Sequence, residues 1–185
     1  MAKNVGKKFE DNWKNSVPED VYYLRLHDSA NSFNQNSSTL RFSMKSPYDC
    51  QLFDGKTRTL YCLELKSASG QSMSFERTKG DNKTANIKAH QIESLSKVSK
   101  YEGIVTGFIF NFRFEDKDTE MTYFQSIQDF NRMIGELSKK SFNIIDLLKY
   151  NPVKIEQTKK KVNYTYNITK FLEDTALSLK ANKTE

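Results

Sequence analysis

The run Gly103-Ile104-Val105-Thr106-Gly107-Phe108-Ile109-Phe110-Asn111-Phe112 constrains the fold more than any other part of the chain. Successive side chains of a strand point to opposite faces, and here both faces are apolar. The run therefore predicts a central strand buried on both sides, which requires cover on both faces of its sheet. Helical periodicity supplies the cover. Val5, Phe9 and Trp13 recur at i, i+4 and i+8 along a helix that ends near Asn15. A second helix spans Ile87 to Lys100, with Ile92, Leu95 and Val98 on one side and Gly103 as its stop. Ser126 caps a third that carries Ile127, Phe130, Ile134 and Leu137, and a fourth runs from Thr169 to about Lys180.

Val21–Leu26, Tyr48–Phe53, Thr59–Lys66 and Met121–Phe124 read as further strands. Alternating strands and helices predict an α/β fold, a mixed β-sheet flanked by helices. Residues 28–45 are polar and read as a loop or short projection, and Ser67–Asn86 reads as polar and aperiodic.

With 185 residues the chain suits one core, so residues 1–185 are expected to form a single domain. Thirteen Phe and nine Tyr argue against disorder. No apolar run reaches the roughly 18 residues of a membrane helix, and the first residues do not lead into a secretory signal. The expectation is a cytoplasmic protein without a membrane partner. Two cysteines, Cys50 and Cys62, are too few for a disulfide scaffold or a four-cysteine zinc site. No Gly-x-Ser-x-Gly elbow or phosphate-binding Gly-x-x-x-x-Gly-Lys-Ser/Thr loop occurs, and two histidines cannot build a three-histidine metal site.

The net charge of +6 is concentrated. Between Lys139 and Lys170 eight basic residues stand against Asp146 and Glu156, so this segment holds an excess equal to that of the whole chain. A phosphate backbone is one reason to gather lysine, and a solvated helix face or tail is the other.

Carboxylates and lysine remain as carriers of chemistry. Four Asp/Glu-x-Lys triplets occur, starting at Asp54, Glu64, Asp81 and Glu115, close to the roughly three that composition predicts by chance. Only Glu64-Leu65-Lys66 sits in an apolar strand, where Glu64 and Lys66 share one face. A hairpin loop of Gly55–Arg58 would pair Asp54 with Thr59 and set Asp49 across from Glu64. A two-residue turn at Asp54-Gly55 would not. In the first register two carboxylates roughly 5 Å apart repel unless a cation bridges them, a divalent oxygen site suited to Mg²⁺ or Mn²⁺. Gln91, one turn before Leu95, faces the sheet, and Glu10 borders the Phe9/Trp13 stripe. The competing readings are a Glu10–Lys14 pair, a Gln91 cap on a buried backbone group, and a same-face Glu64–Lys66 ion pair.

Asp49 followed by Glu64-x-Lys66 on a hairpin resembles the signature of PD-(D/E)xK nucleases. Gly6-Lys7-Lys8-Phe9-Glu10 is similar to the Gly-x-x-Phe-Glu of RecU-type Holliday junction resolvases. Tyr22-Tyr23, His27, Ser46-Pro47-Tyr48-Asp49, His90-Gln91-Ile92 and Lys100-Tyr101-Glu102-Gly103-Ile104 follow in that family's order. Two features depart from it. His27 is followed by Asp28-Ser29-Ala30 instead of a Pro-Thr-Pro run, and the long stalk is reduced to the short 28–45 segment. The Lys- and Asn-rich chain is similar to phage-encoded versions.

The resemblance implies a restriction-endonuclease-like core and Mg²⁺-dependent hydrolysis that resolves four-way DNA junctions by paired symmetric nicks. Asp49 and Glu64 would hold the metal, with Lys66, Gln91 and Glu10 completing the catalytic set. Arg41, Lys45, Arg77, Lys79, Lys159, Lys160 and Lys161 are the DNA-contact candidates. Two strands to cut imply a two-fold homodimer, and a recombinase is a further candidate partner. Two rivals stand beside this: a nuclease of the same fold acting on linear duplex, and a DNA-binding recombination accessory without catalysis.

Overall fold

The computed structural model describes residues 5–26 and 46–181. The 28–45 segment, and with it Arg41 and Lys45, lies outside the described residues, as does His27. Helix α1 (Val5–Lys14) leads to β1 (Val21–Arg25), β2 (Cys50–Asp54), β3 (Thr59–Ser69) and the short β4 (Ser72–Ser74). Helix α2 (Ala89–Val98) precedes β5 (Ile104–Phe114) and β6 (Thr119–Ser126). Then come α3 (Ile127–Glu136), β7 (Ser141–Asn143), α4 (Ile144–Leu148) and β8 (Val153–Ile155). A hairpin of β9 (Gln157–Lys160) and β10 (Asn163–Tyr166) precedes α5 (Ile168–Ala181).

Six strands form one mixed sheet in the order β1-β2-β3-β5-β6-β8, parallel at β3–β5 and antiparallel elsewhere. As its sequence requires, β5 is central. Phe108, Phe110 and Phe112 face one way, packing with Ile92 and Leu95 of α2 and Phe130 and Met133 of α3. Ile109 faces the other way, in a second core with Leu63, Trp13 of α1 and Phe171 of α5. Gly107 permits the close approach of β6. A Cβ there would lie 2.2 Å from the Gln125 carbonyl oxygen and 2.6 Å from the Phe124 ring. Ser126 caps α3 as expected, accepting the Asp129 N–H.

The β2–β3 loop is the four-residue one. Asp54 pairs with Thr59, and its carboxylate accepts the Lys56 N–H at 2.9 Å and the Thr57 hydroxyl at 2.6 Å. These bonds hold the longer loop closed in place of a tight Asp-Gly turn.

One expectation is corrected. Ser67–Asn86 is not structureless: β3 runs on to Ser69, and β4 pairs with β7 and buries Met73. Phe75 is buried beside it and bridges to Ile87. The alternation is only one strand turn long, and its partner lies some seventy residues away, so local pattern did not reveal it.

Candidate active site

The site forms where two strands stop and a third continues. β1 and β2 end in the row Arg25–Cys50–Leu63, whereas β3 continues to Ser69. Asp49 sits in the gap. Its backbone N–H reaches Leu63 O at 3.1 Å, and its carbonyl accepts the Leu26 N–H at 2.8 Å. Its Oδ2 accepts the Leu65 N–H at 2.7 Å, a donor left over by the departing strand. Both backbone and side chain are thus fixed.

Glu64 lies across from Asp49, as the register predicts, and is 3% exposed. Lys66 Nζ sits 2.9 Å from Glu64 Oε1. From α2, the Gln91 side-chain amide donates to the same oxygen. Gln91 Oε1 meanwhile accepts the Lys88 N–H at 2.9 Å, which orients the amide with its donor toward the sheet. Gln91 thus caps the Lys88 N–H and contacts Glu64 with the same side chain. Glu10 on α1 pairs with Arg25, not with Lys14. It lies near enough to Asp49 and Lys66 to feel both charges.

Burial pushes the Glu64 carboxyl up to about 7; Lys66 opposes this and Asp49 adds to it. Asp49 is raised chiefly by burial as well, against the Leu65 N–H, Lys66 and Arg25. Glu10 is raised by burial, against Arg25. Asp49 and Glu64 are close enough that the Asp49 charge adds to the rise of Glu64. Such a pair binds a proton or a cation in preference to standing fully charged.

Among the described residues, no three His, Cys, Asp or Glu side chains converge as a ready-made metal cage. Two adjacent carboxylates still fit Mg²⁺, which is commonly held by one or two carboxylates with water and substrate phosphate filling its shell.

Arg25 is the residue that sequence reasoning missed. Its guanidinium joins Glu10 and lies 3.9 Å from Asp11, and its charge reaches Asp49. The signal was present: alternation along β1 sets Arg25 on the same face as Val21 and Tyr23, toward α1.

No family model matches the sequence. The SPbeta prophage-derived uncharacterized protein YotM of Bacillus subtilis (strain 168) is 30% identical over 181 residues, covering 91% of this chain and 85% of YotM. The chain belongs to the YotM family. Among solved structures, Hjc, a Holliday junction resolvase from Archaeoglobus fulgidus, aligns with 80% of this chain and 93% of its own, at a TM-score of 0.44 and 12% identity.

The basic residues of this YotM-family chain do not form one free surface. Lys139 pairs with Asp146, Lys140 with Asp81, Lys159 with Asp118, and Lys170 with Glu156 and Asp174. Half of the eight lysines thus tie elements together. Arg77, exposed like the other described DNA-contact candidates, also has a local structural role. Its guanidinium donates to the Ile134, Leu137 and Lys139 carbonyls where α3 ends, groups that a helix leaves without partners. Lys79 is exposed in the turn beyond it, and Lys160 and Lys161 are exposed on the β9–β10 hairpin. Among the described residues, no helix is long and apolar enough to cross a membrane.

Proposed function

We propose that this protein is a metal-dependent DNA endonuclease of the restriction-endonuclease-like type that cleaves four-way junctions by paired symmetric nicks. The observation that carries this reading is the convergence of Asp49, Glu64, Lys66 and Gln91, with Glu10 beside them, at the point where β2 leaves β3. Hydrolysing a phosphodiester needs a charged centre for the phosphoryl oxygens, a positioned water and stabilisation of the charge that develops. Asp49 and Glu64 would hold Mg²⁺ or Mn²⁺, which when bound polarises the phosphoryl group and acidifies a water. Lys66, 2.9 Å from Glu64, would orient the attacking water and then stabilise negative charge on the phosphorus oxygens. Gln91 keeps the Glu64 carboxylate aimed, and Glu10 bounds the site from α1.

Two strands to cut at a two-fold symmetric branch call for a homodimer with one site per subunit. Arg41, Lys45, Arg77, Lys79, Lys160 and Lys161 are the DNA contacts of this reading, with Lys159 held against Asp118 beside them. A recombinase is the further partner it suggests.

The deciding experiment is a gel assay on a labelled four-way junction with linear duplex of the same sequence alongside, in Mg²⁺ and in EDTA. Paired nicks confined to the junction, abolished by EDTA and by Glu64→Ala while binding persists, are expected. Cutting of linear duplex alone would transfer the protein to another nuclease class. Binding without cutting in either Mg²⁺ or Mn²⁺ would leave the carboxylates a structural role.

A further inference from the structure

The β9–β10 hairpin stands outside the six-stranded sheet and contributes nothing to the carboxylate cluster. Lys160 pairs with Asn163, which leaves Lys161-Val162 as a two-residue turn. Such turns favour Asn-Gly, because their backbone needs positive φ. Here Lys161 takes a φ of 53° and a β-branched apolar residue follows it. Val162 is 67% exposed, more than any other large hydrophobic side chain among the described residues. Lys160 and Lys161 beside it are exposed, and neither joins an ion pair among the described residues.

Polar contacts tie the tip to its neighbours. Lys8 of α1 donates to the Val162 carbonyl, and Lys159 is fixed on Asp118. Tyr164 donates to the Asp118 carbonyl at 3.3 Å. At the base, buried Tyr166 donates to Glu120 at 2.6 Å, and its ring centroid lies 5.7 Å from those of Phe9 and Trp13. A cleft of about 350 Å³, with Lys8, Arg113 and Lys161 on its walls, lies between the hairpin and α1. Glu10 is on that same helix, two residues beyond Lys8.

Exposed ammonium groups flanking an exposed apolar tip call for an occupant with phosphates around an uncovered apolar face. Base pairs offer such a face only where their stack is interrupted. A branch point is already interrupted, whereas linear duplex must first be unstacked.

We propose that the β9–β10 hairpin is a branch-point wedge. Val162 packs on the base pair exposed at a DNA branch while Lys160 and Lys161 bind the flanking phosphates, so preference for branched over linear DNA resides in this hairpin and not in the carboxylate site. The proposal rests on the DNA-acting part of the reading above.

The test is binding in EDTA, where no metal-dependent cutting intervenes. A four-way junction and linear duplex of equal length are titrated with wild type, Val162→Ser, Val162→Ile and a Lys160→Ala/Lys161→Ala double variant. Wild type should prefer the junction. Val162→Ser should lower the junction-to-duplex affinity ratio about tenfold, and Val162→Ile should retain it. The double lysine variant should weaken both DNAs together and flatten the salt dependence by roughly two phosphate contacts. Equal affinity of wild type for both DNAs, or an unchanged ratio in Val162→Ser, overturns the wedge even if the protein cuts DNA. A Val162-dependent ratio in a protein that never cuts keeps the wedge and removes the nuclease reading. Unchanged thermal unfolding of each variant separates these results from misfolding.

Discussion

Asp49 Oδ2 accepts the Leu65 N–H at 2.7 Å, which makes one side chain both a patch on an unfinished sheet edge and half of a carboxylate pair. An unpaired strand N–H is a site for water or a stray strand. Because β2 begins only at Cys50, one residue after Asp49, the Asp49 carboxylate takes the place of the missing strand partner of Leu65. Among the described residues, β2 offers β3 no strand pairing beyond Leu63, on the side where Glu64 and Lys66 lie.

The first prediction concerns Lys66. It pairs with Glu64 and is partly exposed, and in the proposed reaction its ammonium would also serve the reacting phosphate. Lys66→Ala should lower single-turnover cleavage about 10²–10³-fold, in line with the loss of one charge-stabilising donor. Junction affinity measured in EDTA should change little. A matching loss of affinity and rate would instead assign Lys66 to substrate binding.

The second concerns pH. Burial raises Glu64 to about 7 from the ordinary 4.5, so the folded state binds this proton more tightly than the unfolded chain. Its contribution to stability is fully present below pH 4.5 and is lost as pH rises through 7, to a total on the order of 3 kcal/mol. Asp49 and Glu10, also raised, act in the same direction. Urea unfolding in EDTA should show stability falling between about pH 4.5 and 7. Glu64→Gln should flatten that fall, and Mn²⁺ should restore stability near pH 8 in wild type only. A flat wild-type profile would refute the burial argument.

How much of this was legible beforehand follows from the range of each interaction. The burial of residues 106–112 and the cap at Ser126 are local, and the sequence carries them directly, whereas the Asp49–Glu64 register was legible only as one of two hairpin loops. Three features were not legible because their partners are distant in sequence. Arg77 is recruited by carbonyls near residues 134–139, β4 by residues 141–143, and the basic segment by acids such as Asp81 and Asp118. Counting lysines overstated the free positive surface for the same reason: charge density is visible in a sequence, but ion pairing is not.

Glycine at 107 gives a stability prediction independent of function. A methyl group there would meet the Gln125 carbonyl at 2.2 Å, and the neighbour in the way is backbone of a paired central strand that cannot yield. Gly107→Ala should destabilise by about 1–3 kcal/mol or more, as overpacked cores do. Gly135→Ala, where an added Cβ has nothing within 4 Å, should be neutral or mildly stabilising in its helix. Thermal unfolding of both variants supplies the comparison.

The last prediction tests whether Arg25 acts through Glu10. The pair joins β1 to α1 beside Asp49, and both side chains are roughly a third exposed. An arginine that only steadied the fold would lower stability and leave the response to metal untouched. If it holds Glu10 against the carboxylate pair, Arg25→Ala and Glu10→Gln should each raise the Mn²⁺ concentration needed for half-maximal cleavage. The double variant should then be no worse than the worse single one, the non-additivity expected of two residues acting as one unit. Arg25→Lys, which keeps the charge but loses the fork, should fall between wild type and Arg25→Ala. Additive effects in the double variant would mean that Arg25 works on the DNA phosphate directly, with Glu10 as a bystander.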